Sequence, residues 1–202
     1  MGGVEISAVL AGGTDVEALQ DVLQAAFWDD PVMTWLFPDE RGRSRRSARL
    51  FKLLLERHYL PMHTVWTTSA DEGAALWAPP GHWKIPPVDI VRALPDFVAS
   101  LGRRAPRALR FLDSVDRQHP AEPHWYLGVL GTNPPRQGRG VGSALLAPVL
   151  ERCDREGVPA YLESSKESNI AFYARHGFEL TGEIRAPQGG PVLYPMWRPP
   201  RP

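Results

Sequence analysis

The segment Arg136-Gln137-Gly138-Arg139-Gly140-Val141-Gly142-Ser143 carries residue types and spacing suited to holding an anion. A strand-like run, Leu127 to Thr132, leads into it, and Gly142 to Glu156 behind it has helical spacing. Alternating glycines therefore stand at the mouth of a helix. The first turn of a helix has N–H groups without an internal partner. The helix dipole also favours negative charge there. Glycines remove side chains that would keep a phosphate from those amides, and Arg136 and Arg139 add charge. The segment reads as a phosphate or pyrophosphate cradle.

Two familiar cradles fit poorly. A P-loop requires Gly-x-x-x-x-Gly-Lys-Ser/Thr, and no lysine is present here. A dinucleotide turn requires Gly-x-Gly-x-x-Gly, and Gly138-x-Gly140-x-x-Ser143 lacks the third glycine. Glu163, about 20 residues on, matches that pattern in part. A tight turn with no ligand is the remaining alternative.

The elements that position this turn are legible from periodicity. Val4, Ile6, Ala8 and Leu10 alternate as a half-buried strand does. Thr14-Asp15-Val16-Glu17 reads as a capping box for a helix carrying Val16, Leu19, Val22, Leu23, Ala26 and Phe27, stopped at Asp29-Asp30-Pro31. Met33 to Phe37 predicts a short helix before Pro38. Arg41 to Arg49 carries five arginines, and Phe51, Leu54, Leu55 and His58 continue it as an amphipathic helix. The arginines read as a solvated face, with a phosphate grip as the alternative.

Thr64 to Thr68 and Ala74 to Ala78 predict two strands turned at Asp71-Glu72-Gly73, followed by a loop from Pro79 to Pro87. Ile90, Leu94, Phe97, Val98 and Leu101 have helical spacing interrupted by Pro95, and a further helix runs from Arg107 to about Arg117. His124 to Thr132 and Val158 to Glu163 are strands flanking the Gly142 to Glu156 helix. Asn169 to His176 is a helix ended by Gly177. Phe178 to Ile184 and Val192 to Trp197 are the last strands. One α/β (α+β) domain over 1–202 results, with a mixed sheet.

Composition narrows the partners. Lysine plus arginine number 23 and aspartate plus glutamate 23, for a net charge of +0. That balance argues against nucleic acid or an anionic membrane as the main partner. The lone Cys153 excludes an internal disulfide and suits a reducing cytoplasm. The start Met1-Gly2-Gly3-Val4-Glu5-Ile6 lacks a signal-peptide pattern. No apolar run reaches the ~18 residues of a membrane span. The oligomeric state, monomer or homodimer, is not encoded in any pattern here.

The glycine turn fits a wider motif. Gln137-Gly138-Arg139-Gly140-Val141-Gly142 resembles the Gln/Arg-x-x-Gly-x-Gly/Ala signature of the Gcn5-related (GNAT) N-acetyltransferases. Asn169 through Tyr173 to Gly177-Phe178 looks like that family's Asn-x-x-x-x-Tyr-x-x-x-Gly-Phe element. The run from about His124 to Leu180 is similar to the puromycin N-acetyltransferase group, including Pro148 within the helix and Gly157 to Ser165. The N-terminal half resembles that group only through Ala75 to Pro79 and the acidic stretch near Asp30.

The resemblance implies a GNAT-type domain with its motif core at about 124–184 and acceptor-side elements at about 28–117. It implies a central mixed, mostly antiparallel sheet flanked by helices, and a splayed parallel strand pair holding acyl-CoA. The activity implied is transfer of acetyl from acetyl-CoA, the acetyl-donor co-substrate, to a small-molecule primary amine, with no metal. Leu130, Gly131, Thr132, Arg136, Gln137, Gly138, Arg139, Gly140, Val141, Gly142, Ser143, Asn169 and Tyr173 are the implied cofactor-binding residues. Gly131 suits the strand bulge that opens the splay, and amides near Leu130 and Gly131 can polarise the thioester carbonyl.

Tyr173 is the implied acid for the departing thiolate. Asn169 and Tyr173, four apart, share a helix face. A thiol titrates near about 8.5 and a phenol near about 10, so the transfer is mildly uphill unless the site adjusts it. An anchored structural tyrosine is the alternative. Glu163, at the end of its strand beside the gap, is the first candidate base. Asp30 and Asp29 follow; His124 has a suitable ring but starts its strand, far from the thioester. A water relay is a further alternative. Trp28, Trp35, Trp77, Trp83 and Trp125 suit either core packing or an aromatic acceptor pocket. Cys153 reads as buried filler. A protein N-terminus or lysine as acceptor, and a non-catalytic CoA-binding sensor, are the other functions the pattern allows.

Overall fold

The computed structural model describes residues 6–84, 95 and 101–201. The helix expected over Ile90 to Leu101 thus lies, apart from Pro95 and Leu101, outside the described residues.

Helix α1 (Val16–Ala26) places Val16, Leu19, Val22 and Leu23 on one buried stripe. Its entry differs from the expected capping box. A 3-10 turn, Gly13–Asp15, precedes it, and Asp15 accepts the Gly12 amide at 2.7 Å. The carboxylate thus reaches back one turn, and the Thr14 hydroxyl only meets Asp15 at 3.2 Å. Helix α2 (Pro31–Leu36) starts on Asp30, whose side chain accepts the amides of Val32 and Met33, with proline at a position needing no N–H.

Helix α3 (Glu40–Leu54) carries the arginine run. Arg43 departs from the expected solvated face. It is buried, donates to the carbonyls of Phe37, Trp28 and Pro38 and lies 4.8 Å from the Trp28 ring. A π-helical turn, Leu55–Tyr59, follows directly and buries His58 and Tyr59. Helix α4 is Ala105–Asp116, α5 is Val141–Glu156 with Pro148 inside it, and α6 is Ile170–Arg175.

The strands are β1 (Ala8–Leu10), β2 (Val65–Thr68), β3 (Gly73–Ala78), β4 (Trp125–Thr132), β5 (Ala160–Ser164), β6 (Glu179–Leu180), β7 (Ile184–Arg185) and β8 (Val192–Arg198). Their order is β1-β2-β3-β4-β5-β8-β6, with β7 also on β8. All pairings are antiparallel except β4 with β5. The single strand expected over Phe178 to Ile184 is split into β6 and β7. Its middle residue Thr181 donates both its amide and its hydroxyl to the Pro195 carbonyl, and Pro195 has no N–H to return.

Two cores lie on opposite faces of the sheet. One joins α1, α2, α3, α4 and the π-helical turn to Val65, Leu76 and Val129. The other joins α5 and Tyr173 of α6 to Trp77, Trp125, Leu127 and Leu162. The β-strand between α5 and α6 requires a crossover, and β4-α5-β5 is the parallel unit that provides it. Among the described residues no helix is long and apolar enough to cross a membrane.

Candidate active site

Strands β4 and β5 pair only at Trp125↔Ala160, Tyr126↔Tyr161 and Leu127↔Leu162. Beyond these, β4 runs on to Thr132 and β5 to Ser164 without a ladder between them. The pair opens as a V whose apex is at Leu127 and Leu162. The cause is one extra residue in β4: Leu76 pairs Val129 while Trp77 pairs Leu127, so Gly128 is skipped. The bulge is therefore at Gly128 and not at Gly131. It also reverses the side-chain alternation. Trp125 and Leu127 belong to the α5 core, whereas Val129 belongs to the α1 and α3 core.

Gly131 is required for a different reason. A Cβ there would lie 2.8 Å from Leu23 and 3.1 Å from Ala26 and Phe27, so the glycine admits the end of α1. Its amide is also committed. Asn133 donates to the Glu72 carbonyl and Trp77 to Thr64, so ladder alternation turns Gly131 and Val129 toward β3. Leu130 and Thr132 turn their backbone groups toward the open V. Of the two amides expected at the thioester, only Leu130's faces the gap.

The glycine turn lies at the wide end of the V. Gly138 and Gly140 have φ of +73° and +91°, a region costly for other residues. Gly140 is the N-cap of α5, and the segment from Pro134 to Gly140 is exposed. The first helical return bond is Ala144 N to Gly140 O at 3.0 Å, which leaves the Val141, Gly142 and Ser143 amides without a helical acceptor. The side chains are partly engaged. Gln137 Nε2 donates to Thr132 O at 3.2 Å, Arg136 pairs with Glu72 at 3.1 Å, and Ser143 Oγ meets His176 Nε2 at 3.0 Å. Gln137 and Arg136 thus brace the turn, while Arg139 is exposed. This arrangement fits the pyrophosphate of an acyl-CoA: unpaired amides, a helix dipole and no side chain between.

Tyr173 packs between Phe172 and Phe178 in the core that lines β4 and β5. Burial, and secondarily the charge of Asp30, pushes its phenol well above the ordinary range. Asn169, the N-cap of α6, is exposed and makes no capping hydrogen bond with its side chain. Gly177 has φ of +89° just past the helix, as expected of its C′ residue.

Asp30 is buried; one oxygen caps α2, and the other accepts the Ser165 hydroxyl at the end of β5. Burial raises its carboxyl above the usual range, opposed by these hydrogen bonds. Asp29 is exposed and pairs with Lys166 at 2.6 Å, a hydrogen-bonded contact that lowers its pKa. The two aspartates tie the α1–α2 loop to the loop after β5.

Glu163 lies on the other face of β5 from Leu162, with its side chain only 4% exposed. Its Oε1 is 3.4 Å from Nδ1 of His119, itself 1% exposed. His119 Nε2 is 2.9 Å from His124 Nε2. His124 is therefore linked to Glu163 through a second ring, which corrects the expectation that its place at the strand's start isolates it. Burial lowers the His124 pKa below the usual imidazole range. Tyr126 and Tyr161 face the same carboxylate, and burial and the Glu163 charge raise both phenols. Tyr59, delivered by the π-helical turn, stands over the bulge: a Cβ on Gly128 would be 2.0 Å from its hydroxyl.

His119, Tyr59, Tyr126 and Tyr161 were invisible to motif spacing. The π turn, β4, β5 and a loop residue meet here from separate parts of the chain, and no local spacing signals their meeting. Trp83 stacks on His119 at 3.6 Å. Trp77 and Trp125 are core residues, Trp28 lies under Arg43, and Trp35 packs on Phe111 and Arg107. Cys153 is buried in the α5 core, with its thiol pushed up to about 12 by burial, so it is filler and not a nucleophile.

The V, the glycine turn and the buried tyrosine belong to one α/β domain with a mixed, mostly antiparallel sheet. Residues 79–178 match the acetyltransferase (GNAT) family model, and the fold is that of a GNAT-type α/β domain. An uncharacterised N-acetyltransferase of Schizosaccharomyces pombe is 26% identical over 183 residues, 81% of this chain and 70% of that protein. The solved structure of histone acetyltransferase HPA2 and related acetyltransferase from Corynebacterium glutamicum is 29% identical, covers 98% of each chain and superposes with a TM-score of 0.75. The polyamine N-acetyltransferase of Drosophila melanogaster, which forms N-acetylagmatine, shares the fold at 14% identity and TM-score 0.63, over 96% of this chain and all of that one.

Proposed function

We propose that this protein transfers acetyl from acetyl-CoA to a primary amine of a small molecule, by direct attack within a ternary complex in the cytoplasm. The observation that carries this is the V between β4 and β5, with the α5 cradle at its wide end and Tyr173 beside its apex. When bound, acetyl-CoA supplies the activated acyl group. The amides of Val141, Gly142 and Ser143 hold its pyrophosphate, helped by Arg139. The backbone groups of Leu130 and Thr132 take its pantetheine arm as a further strand would be taken, alongside Asn169. The Leu130 amide stabilises charge on the thioester oxygen. Tyr173, kept protonated by burial, gives its proton to the leaving thiolate; burial makes this transfer more uphill than from a free phenol, and the thiolate held against the hydroxyl offsets that cost. Glu163 takes a proton from the acceptor ammonium and frees the amine lone pair for attack. Holding both substrates in the V supplies much of the acceleration.

A protein amine is the second acceptor class, favoured by the name of the Corynebacterium glutamicum relative; the net charge of +0 disfavours a strongly basic peptide. The test is a panel of amines, including agmatine, puromycin and a lysine peptide, assayed for free thiol released from acetyl-CoA. Puromycin is included because the motif-bearing run resembles its acetyltransferases. Turnover with a small amine, above that with the peptide, is expected. CoA binding with no thiol release from any amine would leave a binding protein and overturn the proposal.

A further inference from the structure

Glu163, His119 and His124 are joined end to end, and the donors in the chain can be counted. His124 Nδ1 is 2.6 Å from the Glu122 carbonyl. A carbonyl only accepts, so His124 carries a proton on Nδ1. The His124 Nε2 to His119 Nε2 contact at 2.9 Å requires one proton between the rings. These two contacts use both protons that two neutral imidazoles carry. His119 Nδ1 is then bare, and it lies 3.4 Å from Glu163 Oε1, which is buried without a hydrogen bond. With neutral rings and an ionised Glu163, two acceptors face each other, and the array has a place for one more proton.

The missing proton has a source in the reaction. We infer that Glu163, His119 and His124 form one proton-accepting array, in which His119 carries the acceptor amine's proton away from Glu163. This rests on the proposed acetyl transfer to an amine. The ammonium N–H bond breaks as Glu163 takes its proton, leaving the nitrogen lone pair for attack. That proton passes to His119 Nδ1 while the His119 Nε2 proton moves to His124 Nε2. Glu163 is a carboxylate again, His119 is neutral with its proton on Nδ1, and His124 is an imidazolium bonded to Glu122 O. Every contact then has one donor. The charge then rests on His124, which is buried and held against the carbonyl of the exposed Glu122 segment.

The surroundings leave the array as the group that takes the proton. Tyr59 from the π-helical turn, Tyr126 from β4 and Tyr161 from β5 are all neutral phenols held above their ordinary range by burial and by Glu163. From α4, Asp116 places its charge near His119 and Glu163, and Lys84 lies 4.0 Å from Asp116. Trp83 stacks on His119 and excludes water from its face.

Two measurements on the full chain test the array. The first is ¹⁵N NMR of the histidine rings, which needs no substrate. In the neutral array His124 is expected protonated on Nδ1 and His119 on Nε2, with His119 Nδ1 bare. A neutral His124 ring bare on Nδ1, or a neutral His119 ring protonated on Nδ1 instead of Nε2, overturns the array. The second is the pH profile of kcat. His119→Ala is expected to lower kcat about 100-fold, to move the profile, to leave the KM for acetyl-CoA unchanged, and to regain activity with added imidazole. An unchanged profile, or a loss that imidazole does not touch, overturns the relay. If the wild type acetylates no amine, the proposed activity fails, and the NMR result alone decides the array.

Discussion

Gly140→Ala and Gly140→Glu, compared as a pair, separate backbone strain from charge at the head of α5. Gly140 has φ of +91° and a Cβ there meets nothing within 4 Å. A Cβ clashes with nothing, so alanine carries only the left-handed penalty, about 1–2 kcal/mol. If the turn relaxes to escape it, the Val141 to Ser143 amides shift and acetyl-CoA affinity falls by about tenfold. Glutamate adds a negative charge beside the bound pyrophosphate. At ~5 Å each charge pair costs about 1 kcal/mol in water and about 3 kcal/mol at an effective dielectric of about 20. Glutamate should therefore bind acetyl-CoA about 5- to 150-fold more weakly than alanine. Calorimetric titration at low and high salt measures both. The alanine deficit should be insensitive to salt, and the added glutamate deficit should shrink as the screening length falls from about 10 Å at 0.1 M to about 3 Å at 1 M. Equal affinities for the two variants, or a glutamate deficit that salt does not change, would show that no phosphate sits at this turn.

Tyr173→Phe keeps the ring between Phe172 and Phe178 and should lower kcat about 100- to 10,000-fold while acetyl-CoA affinity and Tm hold; steady-state kinetics beside calorimetry check it, and an unchanged kcat removes the phenol from the reaction. Gly128→Ala drives a methyl into the Tyr59 hydroxyl and should destabilise the fold by about 1–3 kcal/mol. Adding Tyr59→Phe should recover part of this in urea denaturation, since the next atom is 3.0 Å away. Asp154→Asn breaks a bidentate pair with Arg198, whose side chain is 2% exposed. Leaving that guanidinium buried and unpaired costs about 3–5 kcal/mol, or about 6–20 °C in Tm. The Arg198 hydrogen bonds lower the Asp154 pKa from 3.8, so the pair's contribution is full above pH 3.8 and is lost as pH falls through the lower folded value. The Tm gap between wild type and variant should therefore close below pH 3.8.

How far the site could be anticipated depended on the range of the interaction that makes each part. The cradle is local: glycines with positive φ and the helix start beside them are encoded within one stretch, so Gly138, Gly140 and α5 fall where spacing places them. The Tyr173 helix and its Gly177 stop are local too. The bulge was misplaced because either Gly128 or Gly131 satisfies a strand glycine in sequence, and only the packing of Tyr59 on one and α1 on the other tells them apart. Arg43 left the expected solvated face because Phe37, Pro38 and Trp28 present carbonyls to it from outside its helix.

By itself, the run from Arg136 to Ser143 determined a glycine-rich helix start with free amides, because the missing amide partners of a first turn and the freedom of glycine are properties of a few consecutive residues. The tertiary structure alone decided what faces it. The parallel pairing of β4 with β5 opens a V at Leu127 and Leu162, and folding sets Glu163 against His119 and His124. Hydrogen bonding between side chains distant in sequence depends on strand register and helix packing, which no local pattern contains.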